Sequence, residues 1–125
     1  MDIKNKDGIS LQWLFKQASP DRWNLNNTDL ARVLGINEEL VEKLKANIAH
    51  GKQIELNESA STRLHLLLSI NKSIHDMSPN GQENLFFTNP NSGDFLNRLS
   101  IKEFLIEEAT TNAMAEIITW LKSRI

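Results

Sequence analysis

Histidine is the residue type in this chain best suited to catalysis or metal binding, because there are three histidines and no cysteine. The lack of cysteine excludes disulfides, thiolate metal ligands and thiol nucleophiles. His65 and His75 are ten residues apart in a segment with helical spacing, which separates them by about 280° around the axis and about 15 Å along it. Two side chains placed in this way cannot share a metal ion or a substrate. His50 stands apart from both, beside Gly51 at a predicted helix end.

Paired carboxylates give no better catalytic candidate. Glu107 and Glu108 are adjacent in a predicted helix, so their side chains point in different directions and are expected on a solvated face. Neither an HExxH motif nor a glycine-rich phosphate-binding loop occurs in the sequence. We therefore expect a protein that binds other macromolecules and has no catalytic site, metal or cofactor.

Composition places the chain among small globular proteins. Hydrophobic residues make up 40% of its 125 residues, which is enough for a core, and the net charge is −2. Divided at Thr62, the first part has 8 basic and 9 acidic residues and the second has 6 and 7, so neither is a basic nucleic-acid module. The first residues, MDIKNKDGIS, lack the apolar run of a signal peptide, and no apolar run of about 18 residues occurs, so we expect a cytoplasmic protein.

The spacing of apolar residues is helical along nearly the whole chain, which predicts an all-α fold. Helices are expected over residues 10–17, from an N-cap at Thr28 to residue 34, and over 38–49 with an N-cap at Asn37. A long helix over 57–76 follows, with an apolar arc of about 200° that implies burial on two sides. Three further helices are predicted, the first capped by Ser78-Pro79, the second opened by a Ser100–Glu103 capping box, and the last capped by Thr110 or Thr111. We expect an N-terminal region over residues 1–56 and a helical region over 57–125, joined by the long helix.

The helices on either side of Gly35 have the spacing of a helix-turn-helix. Gly35 can supply the positive φ of the tight turn, Ala31 is small enough for close approach, and Leu30, Val41 and Leu44 can pack the two helices together. One interpretation places the second helix in the DNA major groove, with DNA contacts from Asn37, Lys43, Lys45 and Lys52. The other is a helical hairpin used for support or dimerisation. Outward-facing Glu38, Glu39 and Glu42 favour the hairpin, because carboxylates repel phosphates.

The segment over residues 88–99 lacks helical periodicity but contains Phe95, Leu96 and Leu99. These side chains either tuck under the loop as a small satellite core or project as anchors for a protein partner. In the second case, neighbouring Asn89, Asn91 and Asp94 would form a polar rim.

Arg63 falls within the apolar arc of the long helix, where its charge requires a partner. Three outcomes are open: the guanidinium snorkels to solvent, it pairs with Glu103, Glu107 or Glu108, or it waits for a carboxylate of a partner protein. Two interpretations also remain for the end of the chain. Arg124 and Ile125 either fray or insert in a partner's groove.

Three stretches of the second half resemble the MbcA/ParS/Xre antitoxin family. RLHLLLSINKSIHDM, from Arg63, is similar to the long helix of that family, and NLFFTNPN, from Asn84, is similar to its aromatic-ended helix and Pro-Asn turn. FLNRLSIKEFL, from Phe95, is similar to the segment that opens its penultimate helix. The helix-turn-helix that precedes them is also the family's arrangement. The loop itself reads PNSGDFLNRL, with a single glycine, Gly93, where the family has Gly-Gly.

This resemblance implies a type II antitoxin that neutralises a co-encoded, RES-like, NAD-consuming toxin by covering its active-site entrance. It implies that the N-terminal half handles promoter DNA and self-association, in a homodimer or a larger toxin–antitoxin complex. The alternatives are a stand-alone helix-turn-helix regulator and an adaptor that does not bind DNA. The toxin-binding residues expected from the resemblance and the loop chemistry together are Arg63, Asn89, Pro90, Asn91, Gly93, Phe95, Leu96, Arg98, Ser100, Arg124 and Ile125.

Overall fold

The structure is a computed structural model that describes residues 3–52, 54–77, 83–88 and 100–123, and within these ranges it contains helices and no strand. The all-α prediction is therefore confirmed for the described residues. In chain order the helices are α1 (Ile3–Gln17), α2 (Asn27–Leu34), α3 (Glu38–Ala49), α4 (Glu58–Met77), α5 (Glu83–Thr88), α6 (Ile101–Glu108) and α7 (Thr111–Lys122).

Helix α1 begins seven residues earlier than its apolar spacing predicts, at Ile3 in place of Ser10. The additional turns are docked on α4 by a polar contact. The carboxylate of Asp7 is buried and accepts a hydrogen bond from the Ser61 hydroxyl at 3.1 Å. The Nε2 atom of His65 lies 3.4 Å from the same carboxylate oxygen. Tertiary contact, which the local sequence does not reveal, therefore extends this helix.

Helix α2 is capped by Asn26, so the prediction of Thr28 as its N-cap is wrong. The Asn26 side chain accepts from the backbone N–H of Asp29, and the Asp29 carboxylate accepts from the backbone N–H of Asn26, which completes a capping box. Thr28 lies inside the helix, where its hydroxyl donates to the Glu38 carboxylate at 2.8 Å. Asn26 has the better position because its partner Asp29 follows at the third helical residue.

The connection from α2 to α3 follows the sequence prediction closely. Gly35 ends α2 in the left-handed conformation, with φ of 70°. Asn37 caps α3 by accepting from the backbone N–H of Leu40 at 2.8 Å. Helix α3 then runs from Glu38 to Ala49, the range that was predicted. Gly51, at φ of 69°, reverses the chain after it.

Helix α4 is the central element and packs against α1, α2, α5 and α7. It begins one residue after Asn57, whose side chain accepts from the backbone N–H of Ala60 at 2.7 Å. The predicted apolar arc supplies its most buried side chains, Leu64, Leu67, Ile70 and Ile74, whereas Leu66 and Leu68 are half-buried. Burial against neighbours on several sides is what the width of the arc predicts.

The last two helices have the predicted caps. Ser100 and Glu103 form the capping box of α6, and Thr110 caps α7. The Ser78-Pro79 cap lies outside the described residues. Buried side chains from α1 through α7 form one continuous hydrophobic cluster. The proposed boundary near residue 56 stays a prediction. None of the helices in the described ranges has the length and hydropathy needed to cross a bilayer.

Candidate functional site

Two arginines from different helices bind the same helix end. Arg32 of α2 donates from Nε to the carbonyl oxygen of Ile106 at 2.8 Å and from Nη2 to that of Glu107 at 3.2 Å. Arg63 of α4 donates from Nη1 to the carbonyl oxygen of Ala109 at 2.6 Å. The last carbonyls of a helix have no partner inside it and carry the negative end of its dipole, so cations stabilise them. We call these two side chains and three carbonyls the arginine clasp.

The guanidinium of Arg63 lies between two turns. On one side is Ala109, which ends α6 in the left-handed conformation at φ of 42°. On the other is Gly35, where an added Cβ would lie 3.0 Å from Cζ and 3.1 Å from Nε of Arg63. Any other residue at this turn would push the guanidinium aside by a few tenths of an ångström. The clasp therefore joins the α2–α3 turn to the α6–α7 turn.

This arrangement settles two of the three expectations for Arg63. The expected ion pair with Glu103, Glu107 or Glu108 is wrong, since no ion pair of Arg63 occurs among the described residues. The side chain does not simply snorkel either, because it is partly buried and binds a backbone carbonyl. Its Nε atom is buried and has no hydrogen-bond partner within the described ranges. The role of Arg63 toward a partner protein stays a prediction.

An open cleft of about 450 Å³ adjoins the clasp. The residues that line it include Thr28, Arg32, Gly35, Glu38, Arg63 and Ala109. Its lining therefore includes both arginines of the clasp and one glutamate, together with Asn37, the N-cap of α3. With two arginines and one glutamate, the lining is positively charged on balance, which suits an anionic ligand.

The described residues on either side of the segment over residues 89–99 are firmly packed. Before it, the Phe87 ring is 1% exposed and stacks on Trp23, with ring centroids 3.9 Å apart and planes at 7°. Trp13 meets Trp23 edge-on at 5.6 Å. Also in α5, the Asn84 side chain accepts a 2.6 Å hydrogen bond from the buried side chain of Gln17. Stacking and hydrogen bonding thus fix α5 to α1 and to the turn that follows α1.

On the other side of the segment, Ser100 is fully buried and its hydroxyl accepts from the backbone N–H of Glu103 at 3.0 Å. The expectation that Ser100 contacts a toxin is corrected by this burial, because the side chain is occupied as a helix cap. The other expected toxin contacts, apart from Arg63, lie outside the described residues: Asn89, Pro90, Asn91, Gly93, Phe95, Leu96, Arg98, Arg124 and Ile125.

The four residues expected to contact DNA differ in their availability. Lys43 and Lys52 are exposed, and Asn37 is exposed but uses its side-chain oxygen as the cap of α3. Lys45 is partly buried, donates to the Asn27 side chain, and has its ammonium 5.5 Å from the Phe15 ring centroid. Lys45 thus helps to fix α3 to α1 and α2.

The outward face of α3 is mostly acidic. Glu38, Glu39 and Glu42 are all exposed. Of the basic residues expected to contact DNA, Lys43 and Lys52 are exposed, and two lysines do not offset three carboxylates. The exposed charges of α3 therefore still disfavour binding of this face in the major groove of DNA.

Sequence reasoning missed two of the contacts that join the halves of the chain. Arg32 was not singled out, although it sits in the last turn of α2 and reaches α6. Lys102 donates to the carbonyl oxygen of Asn24 at 2.7 Å, where Asn24 has a positive φ of 54°. Partners separated by more than seventy residues leave no local pattern, so no sequence signal could have paired them.

Metal chemistry has no support in the part of the chain that the structure describes, where no group of three or more acidic or histidine side chains could hold an ion. His75 Nδ1 instead lies 3.4 Å from the carboxylate of Glu83. Compared with protein-family models, curated proteins and solved structures, the chain has no significant match.

Proposed function

We propose that this chain is a type II antitoxin, which inhibits a co-encoded toxin by binding it through the segment over residues 89–99. The observation that carries the proposal is the burial of described residues just before and just after this segment. The chain enters it just after Phe87, buried at 1% exposure, and leaves it at Ser100, buried at 0%. A binding loop fixed at both ends loses less conformational entropy when it meets its partner.

The sequence of the segment supports the same role. It combines apolar Phe95 and Leu96 with polar Asn89, Asn91 and Asp94, the composition of an anchor with a polar rim. The resemblance of residues 63–77, 84–91 and 95–105 to the MbcA/ParS/Xre antitoxins supports a RES-like toxin as the partner. Inhibition would be steric, by covering the active-site entrance of the toxin.

Co-expression tests this proposal. The product of the adjacent gene, produced alone in bacteria, is expected to stop growth, and co-expression of this chain is expected to restore it. Affinity purification should then recover the two proteins as one complex. If the adjacent product neither inhibits growth nor binds the chain, the antitoxin proposal is rejected.

A Phe95→Asp variant tests the binding segment itself. Placing a carboxylate at an apolar anchor is expected to abolish the complex and the rescue, because a desolvated unpaired charge is costly. Ile9→Asp is the matched control, since Ile9 is 70% exposed on α1. Circular dichroism should show the same helicity for both variants. Unchanged toxin binding by Phe95→Asp would remove the segment from the interface.

A second role, binding of the operon's own promoter, is supported by the α2–α3 pair with its Gly35 turn and Asn37 cap. The acidic face of α3 opposes it, so we expect weak, salt-dependent binding by the chain alone. A double Glu38→Lys and Glu42→Lys variant should bind a promoter fragment more tightly than the unmodified chain. If neither the chain nor its toxin complex retains the fragment in a mobility-shift assay, the chain acts without DNA.

A further inference from the structure

We propose that the cleft beside the arginine clasp is a binding site for an oxyanion, either a phosphate or a carboxylate group. Its lining brings together Arg32 and Arg63, two permanently charged side chains from different helices. Neither guanidinium forms an ion pair with a carboxylate among the described residues. Two cations and a single carboxylate, that of Glu38, line this cleft, and the remaining positive charge favours an anionic ligand.

The hydrogen-bonding capacity of both side chains is only partly used. A guanidinium has five N–H groups. Within the described ranges, Arg32 gives two of them to carbonyls of α6, and Arg63 gives one to Ala109. The Nε atom of Arg63, packed beneath Gly35, has no acceptor there. Neutral carbonyls satisfy these donors without cancelling the positive charge, and an oxyanion in the cleft would offset the part of it that Glu38 leaves.

The surroundings of the cleft contribute opposing charges. The N-terminus of α3, whose N-cap Asn37 faces the cleft, adds the positive end of a 12-residue helix dipole. Glu38 opposes an anion, because its carboxylate also lines the cleft. That carboxylate is held by the hydroxyl of Thr28 at 2.8 Å. Glu38 therefore lowers the affinity for an anion. Removing its charge tests the anion site without changing the arginine clasp.

Nuclear magnetic resonance titration measures the binding. The full chain, labelled with ¹⁵N, is titrated with inorganic phosphate in one series and with acetate in another, and sodium chloride holds the ionic strength constant. Saturable shifts of the Gly35 and Ala109 amides are expected in at least one series. Saturation with phosphate alone assigns a phosphate site, and saturation with acetate alone assigns a carboxylate site. Saturation in neither series overturns the proposal.

Glu38→Gln is the decisive variant. It removes the charge but keeps an acceptor for Thr28, and it should tighten anion binding roughly three- to tenfold. Glu39→Gln is the matched control, because Glu39 is the next residue, is equally exposed, and does not line this cleft. The affinity of the Glu39→Gln variant for the anion should stay within about twofold of that of the unmodified chain. Equal affinities of the two variants would place the anion elsewhere.

Arg32→Gln gives the opposite change. This variant removes the charge and leaves a neutral amide in its place, and it should weaken anion binding by roughly fivefold or more. Arg22→Gln, also at an exposed arginine, should bind as the unmodified chain does. Should Arg32→Gln fail to fold, the Glu38→Gln comparison decides the question alone.

Discussion

The Nη1 atom of Arg63 donates a 2.6 Å hydrogen bond to the carbonyl oxygen of Ala109, forty-six residues further along the chain. This bond connects the middle of the molecule to the point where α6 turns into α7. The same guanidinium packs against Gly35, so one side chain contacts both turns. Because the clasp joins the two halves of the chain, substitutions at either turn should change the free energy of unfolding of the whole protein.

Gly35→Ala should destabilise the protein more than the same change at Gly51. Both glycines have φ near 70°, where an alanine costs about 1–2 kcal/mol. At Gly35 the new Cβ would also lie 3.0 Å from Cζ of Arg63, whereas nothing lies within 4 Å at Gly51. The guanidinium would have to shift by a few tenths of an ångström, so the loss at Gly35 should exceed the loss at Gly51. Urea unfolding of both variants measures the free energy of unfolding, and equal losses would show that Arg63 does not crowd the turn.

Ala109→Gly should stabilise the protein. Ala109 has φ of 42° at the end of α6, a conformation that glycine adopts without the steric cost of a Cβ. A gain of about 0.5–1 kcal/mol is expected, measured as a higher urea midpoint with an unchanged slope. Ala115→Gly, at an exposed position inside α7, should lose about 1 kcal/mol. A loss in both variants would contradict the strained geometry at Ala109.

Local signals in the sequence predicted the helix ends well. Gly35, Asn37, Ser100 and Thr110 each act within a few residues of their partners, and each has its predicted role in the structure. The N-cap of α2 was assigned wrongly because NLNNTD offers several capping residues in a row. In such a run, the choice depends on which residue finds a partner three positions later.

Long-range contacts could not be predicted in the same way. The early start of α1 depends on the buried carboxylate of Asp7 and its bond to Ser61, fifty-four residues away. The partner of Arg63 is a backbone carbonyl, and every residue has one, so residue type gave no clue. The sequence showed only that Arg63 needs a partner, because its charge falls within an apolar arc. The candidate site was therefore predicted in part: Arg63 was identified, while Arg32 and the cleft were not.

Arg32→Gln tests the other arm of the clasp as a structural element. The side chain donates to the carbonyls of Ile106 and Glu107, and losing these charge-assisted bonds should cost about 1–2 kcal/mol of unfolding free energy. Arg22→Gln is the control, because Arg22 is also exposed and its bond to Gln17 is long, at 3.5 Å. It should cost less than about 0.5 kcal/mol. Similar values for the two variants would mean that the clasp contributes little to stability.

The capping box of α6 should contribute measurably to stability. Ser100→Ala removes the acceptor of the Glu103 N–H and should cost about 0.5–2 kcal/mol. Glu103→Ala removes the reciprocal bond from the Ser100 N–H, and Glu103→Gln keeps it. Thermal unfolding should therefore place Glu103→Gln close to the unmodified protein and above Glu103→Ala. Equal losses in the two variants would show that charge at Glu103, and not its bond, stabilises the helix.

Phe87→Leu should weaken both the fold and partner binding. The ring is 1% exposed and stacks on Trp23, so replacing it loses the aromatic contact and leaves a poorly filled site, at a cost of roughly 1–3 kcal/mol. Ile9→Ala, at a residue 70% exposed, should change stability by less than about 0.5 kcal/mol. Urea unfolding followed by tryptophan fluorescence measures both variants. Under conditions where the chain stays folded, Phe87→Leu should also weaken the toxin complex, because the binding segment begins two residues later. A complex of unchanged affinity would show that this anchor is not needed to present the segment.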